Sequence, residues 1–137
     1  MSGARPPATR FAELEGAAAF CEWFGSPAPC FHDANVASLS FEHRGRSRIV
    51  LHAFRMTSEV DPGGYFVLDR HCEVSFTLDG VTEVRFRDFD EGSILQGLTV
   101  TIEDGKIVLD LESVVGADGR VSAAGCQVAF APRQPQS

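Results

Sequence analysis

From Val36 onward, apolar and polar residues alternate with a period of two, and no other feature limits the fold of this chain so strongly. The clearest run is residues 71–79. Cys72, Val74, Phe76 and Leu78 face one way, and Glu73, Ser75, Thr77 and Asp79 face the other. Leu39, Phe41 and His43 alternate in the same manner with Ser38, Ser40 and Glu42. Further strands are predicted over residues 48–56, 81–89, 98–103, 107–111 and 121–131. Turn chemistry separates them: Gly45 between two arginines, the DPGG of residues 61–64, and Gly116 with Gly119. Asp79-Gly80 and Asp104-Gly105 read as tight hairpins. Residues 91–97 are less regular and are expected to hold one helical turn.

Roughly seven strands at about ten-residue spacing, joined by short turns, predict antiparallel neighbours, because parallel crossovers need about a dozen residues or more. The consistently polar second face predicts a sheet covered on one side, or one folded on itself as a sandwich or partial barrel.

Residues 9–24 read as one helix packed on that sheet. Thr9 is the expected N-cap, and Glu13 and Glu15 lie where the helix dipole favours carboxylates. Phe11, Leu14, Ala18 and Cys21 make the apolar stripe, with Gly16 only a slight weakness. Gly25 stops the helix, and Pro27 and Pro29 prevent its resumption. The fold class is therefore α+β, mostly antiparallel β, with one N-terminal helix. At 137 residues the chain has the size of one domain, placed at 9–131, with disordered ends at 1–8 and 132–137.

No run of about 18 apolar residues is present, and residues 1–7 lack the apolar core of a secretory signal. A cytoplasmic protein is expected, with Cys21, Cys30, Cys72 and Cys126 as reduced thiols. The net charge of −7 argues against a nucleic-acid binder. Charge is also uneven: residues 1–56 balance at +1 and residues 57–137 at −8. An acidic face made by Asp79, Glu83, Asp88, Asp90 and Glu91 is a candidate surface for a basic partner.

The chemically densest string is Cys30-Phe31-His32-Asp33. His32 beside Asp33 suggests a general base with an orienting carboxylate. On an extended chain neighbours point apart, so the alternative is that both residues satisfy backbone where the chain enters the sheet. Cys30 with His32, or His71 with Cys72, together with His43 and His52, offer soft metal ligands, but no pair has closed zinc spacing. No metal and no cofactor is expected. Phosphate-binding glycine loops and the GxSxG elbow are absent from the sequence.

Trp23-Phe24-Gly25, then Pro29, then FHDANV at residues 31–36, resembles the opening of the immunity protein 50 family, small bacterial proteins of polymorphic-toxin systems. The likeness runs in order through residues 20–130, with Val74-Ser75-Phe76 and SILQGLTV at 93–100 following in similar style. It implies a non-catalytic protein that binds one cognate toxin and occludes its active site. It also implies Trp23, Phe31, His32 and Asp33 as a structural motif. The open alternatives are an enzyme or metal-dependent hydrolase using His32 and Asp33, and a ligand-binding or oligomeric module. A monomer or homodimer, without membrane or nucleic-acid partners, is expected.

Overall fold

A computed structural model describes residues 10–25, 31–87, 94–116 and 118–133. Six strands lie among them: β1 (Asn35–Ser40), β2 (Ser47–Val60), β3 (Phe66–Arg87), β4 (Ile94–Glu103), β5 (Lys106–Val115) and β6 (Asp118–Pro132). All neighbours are antiparallel, and the order β1-β2-β3-β6-β5-β4 closes into a barrel. The sheet therefore takes the barrel form among the expected architectures, with six strands where about seven were read.

The difference comes from Asp79-Gly80. It is not a hairpin: β3 runs straight through it, and residues 71–79 and 81–87 are one strand. Gly80 takes φ 64°, and the register slips by one residue between Val81 and Glu83. The glycine and the adjacent bulge bend a long strand, as such features do where a barrel curves. Continuous pairing with β6, from Cys72↔Pro132 to Arg87↔Asp118, overrides the local turn preference. At Asp104-Gly105, where no such partner competes, φ values of 52° and 77° make the expected two-residue turn. Of residues 91–97, expected to hold a helical turn, 94–97 are the irregular start of β4 and 91–93 lie outside the described residues. Pro132 still pairs with Cys72, and the Arg133 amide donates to the His71 carbonyl, so the pairing runs past Ala131. The end segments 1–8 and 134–137, and Thr9, lie outside the described residues.

The predicted single helix is two pieces. A 3-10 turn (Phe11–Glu13) and α1 (Ala17–Phe24) flank Gly16, whose φ of 86° interrupts the helix. The buried positions are Phe11, Leu14, Ala17, Phe20 and Phe24; Ala18, expected in the stripe, is exposed. This segment mends two open edges. β5 pairs with β6 only as far as Ala123, and beyond it the Val128 amide donates to Glu15 at 2.7 Å. On the other side the Arg10 amide donates to the Val100 carbonyl of β4, also at 2.7 Å. Backbone groups that would lack partners in the core are thereby satisfied.

Inside, Leu51, Val74, Phe76, Leu78, Leu109 and Val121 are fully buried. The N-terminal segment adds its rings to them. Phe20 contacts Phe11, Trp23, Phe24, Phe31 and Phe130, and Phe11 and Phe31 reach Phe76. Most of the phenylalanines described thus build the core.

Candidate functional site

The string FHDANV closes the barrel. Phe31 and Ala34 are buried, and the Ala34 amide donates to the Phe31 carbonyl across a four-residue turn. Asp33 holds φ 70° at its third position, a conformation aspartate tolerates better than most residues. The Asp33 amide then donates to Leu95, the Leu95 amide donates to Ala34, and Asn35 pairs with Ile94. These contacts form the β1–β4 seam. The side chains of His32 and Asp33 point away from this work: Nδ1 and Oδ2 lie 3.2 Å apart, with each side chain about half exposed at 53% and 43%. Neither lines any of the hollows described below, and Cys30 lies outside the described residues.

The other predicted polar residues do not converge. Asp79 meets Arg46 at 3.3 Å and Glu83 meets Arg85 at 2.8 Å, so these two acids of the expected patch are each answered by an arginine. Asp88, Asp90 and Glu91 lie outside the described residues. His71 and Cys72 face opposite sides of β3: Cys72 is buried, while His71 packs on Phe54 with ring centroids 5.9 Å apart. Burial pushes the Cys72 thiol up to about 11 and, with the nearby Asp79 charge, the Cys126 thiol up to about 12, so both are inert. No three His, Cys, Asp or Glu among the described residues are grouped to hold a metal ion.

Hollows on the barrel surface formed by the described residues include the following. One of about 440 Å³ is lined by Asn35, His52, Phe54, His71 and Arg133. Its His52 Nε2 is 3.8 Å from Glu73, beyond hydrogen-bond distance. A shallow groove of about 980 Å³ crosses β3, β6, β5 and β4, and its arginines are engaged: Arg120 grips Asp110 at 2.9 Å and Arg87 meets Asp118 at 3.6 Å. A smaller one of about 290 Å³ lies beside Phe41 and Val84.

Sequence reading missed the hairpin arm formed by the far ends of β2 and β3. β1 pairs with β2 only up to His52, and β6 pairs with β3 only from Cys72, so among the described strands residues 54–71 project paired only with each other. The DPGG turn closes the tip as expected, Asp61 Oδ1 accepting from the Gly63 and Tyr65 amides. Among the described residues ten large hydrophobics are exposed, and five of them, Met56, Val60, Tyr65, Phe66 and Leu68, are here. Met56 opposes Leu68 and Val60 opposes Phe66, so these four share one face, and Tyr65 adjoins them at the turn. The opposite face is anchored. Arg55 forks onto Asp69 at 2.8 and 2.7 Å and reaches the Phe24 carbonyl at the end of α1. Arg70 donates to the Trp23 carbonyl at 3.0 Å and sits 5.7 Å over its ring.

The hydrogen bonds and charge of Arg55 hold the Asp69 carboxyl below the usual carboxylate range. A carboxylate depressed in the folded state stabilises it above its unfolded pKa, and that contribution disappears as pH falls through the folded value. Asp69→Asn is therefore expected to lower urea stability at pH 7 and to converge on the unmodified protein as pH falls below the depressed folded value. A gap that persists at low pH would show that the pair acts by packing alone.

No helix of the described residues is long and apolar enough to cross a membrane. Comparison with protein-family models, with curated proteins and with solved structures finds no match.

Proposed function

We propose that this protein is a non-catalytic immunity protein that binds a cognate bacterial toxin and covers its active site. The observation that carries the reading is the arm, where half of the exposed large hydrophobics described in the chain share one short hairpin. Apolar surface gathered in this way is a mark of a macromolecular interface. The resemblance of Trp23-Phe24-Gly25 and FHDANV to the immunity protein 50 family supports the same reading, as does the acidic balance of residues 57–137. The paired His32 and Asp33 are about half exposed and line none of the hollows described, a poor setting for tuning a catalytic base.

Co-expression with the product of the adjacent open reading frame tests the proposal. Restored growth and a co-purifying complex are expected, and His32→Ala is expected to protect equally well. Protection lost in a folded His32→Ala protein would transfer the function to His32 and Asp33 as an enzyme. An adjacent toxin that neither binds nor is neutralised would overturn the immunity reading.

A further inference from the structure

We infer that the outward face of the hairpin arm is the docking element, and that its occupant is an apolar cleft with a basic rim on the partner protein. This rests on the neutralising role proposed above. The face consists of Met56, Val60, Phe66 and Leu68, and Tyr65, 75% exposed, adjoins it at the tip of the arm.

A cleft fits this arm better than a flat surface. A large side chain offers about 200 Å². At 39–75% exposure, the five residues present on the order of 500 Å². A second copy laid face to face would bury only that on each side, short of the roughly 800 Å² per partner of a stable interface. A cleft also covers the tip and both flanks of a projecting hairpin, and so reaches that size. Nor are the flanks suited to strand addition. Arg70 at φ 53° and the register break between Met56 and Val60 make both edges irregular.

Charge sets the rim. The arginines of the arm are turned inward, Arg55 onto Asp69 and α1, Arg70 onto Trp23. Glu59 and Asp61 remain exposed near the tip. The inserted end is thus apolar and negative, which a basic rim complements.

The test uses the full chain and the purified product of the adjacent toxin gene. A double variant, Tyr65→Ser with Phe66→Ser, removes exposed side chains and is expected to leave the urea midpoint unchanged while weakening binding at least tenfold. Val114→Ser, an exposed apolar change on β5, is expected to bind as the unmodified protein does. Glu59→Lys is expected to slow association several-fold at low salt, an effect that fades as salt rises. If the unmodified chain binds and the double variant binds equally well, the arm inference falls and the immunity reading stands. If the unmodified chain does not bind, the immunity reading falls and takes the docking role with it. Sedimentation of the chain alone supplies the remaining arm. A concentration-dependent dimer dissolved by Phe66→Ser would make a second copy the occupant and overturn the cleft. Unchanged association of Glu59→Lys would overturn the basic rim.

Discussion

Phe20→Ala is expected to destabilise the protein by about 3–5 kcal/mol, the range for removing a fully buried aromatic ring. Two effects compete in that figure. Lost transfer and dispersion energy always destabilise, whereas collapse of the neighbours into the space restores part of the loss. Here collapse is obstructed, because the neighbours belong to separate segments. Phe11 is on the 3-10 turn, Phe31 on the turn that closes the barrel, and Phe130 on β6, with centroids 5.9, 6.1 and 5.3 Å from Phe20. No single shift brings all three inward. Moreover α1 has eight residues, too few to be stable without tertiary contacts, so its docking depends on this ring. Urea denaturation should show the loss, with Val114→Ser staying within about 0.5 kcal/mol as a surface control. A loss below about 1 kcal/mol would mean that the barrel is indifferent to α1. Because the end of α1 also receives Arg55 and Arg70, Phe20→Ala should loosen the arm as well.

The β class was legible because period-two alternation is a direct record of a sheet with two unlike faces. Residues 72–78 are buried and half-exposed in nearly the order the sequence suggests. Where a residue type has two uses, the sequence was ambiguous. Asp-Gly makes a hairpin at Asp104-Gly105 and a bend inside a strand at Asp79-Gly80. What decides between them is β6, some forty residues further along the chain. The extent of the helix was misjudged for a related reason. Glycine costs a helix interior only about 1 kcal/mol relative to alanine, so local propensity did not predict a complete break at Gly16. The arm was hidden because Met56, Val60, Phe66 and Leu68 look like ordinary strand residues. Their exposure follows from β1 and β6 ending short of them, a property of pairing lengths that no local pattern carries. His32-Asp33 was the reverse case. It was conspicuous in sequence, yet its backbone and its neighbours Phe31 and Ala34 make the barrel seam, while its side chains face solvent.

Gly16→Ala is expected to cost about 2–4 kcal/mol, and its cause can be separated from the ordinary penalty of a left-handed residue. At φ 86° any L side chain is strained, by roughly 1–2 kcal/mol. Replacing glycine also restricts the unfolded chain, which returns about 0.4–1 kcal/mol where the native conformation suits the new residue, and this one does not. The additional cost is steric. A Cβ at residue 16 would overlap the Val128 carbonyl, a backbone atom. Val128 cannot retreat cheaply, since it is paired with Phe76 in β3 and its amide donates to Glu15 beside the glycine. Relief therefore requires the N-terminal segment to lift from the edge of β6, opening the gap it seals. Gly64 provides the comparison: its φ is 89°, but a Cβ there would meet nothing within 4 Å. Gly64→Ala should thus report the backbone strain alone, roughly 1–2 kcal/mol. Urea midpoints of the two variants should differ clearly, with Gly16→Ala the weaker protein and faster amide exchange at Val128. Equal losses would show that the edge contact between Glu15 and β6 contributes nothing beyond the turn itself.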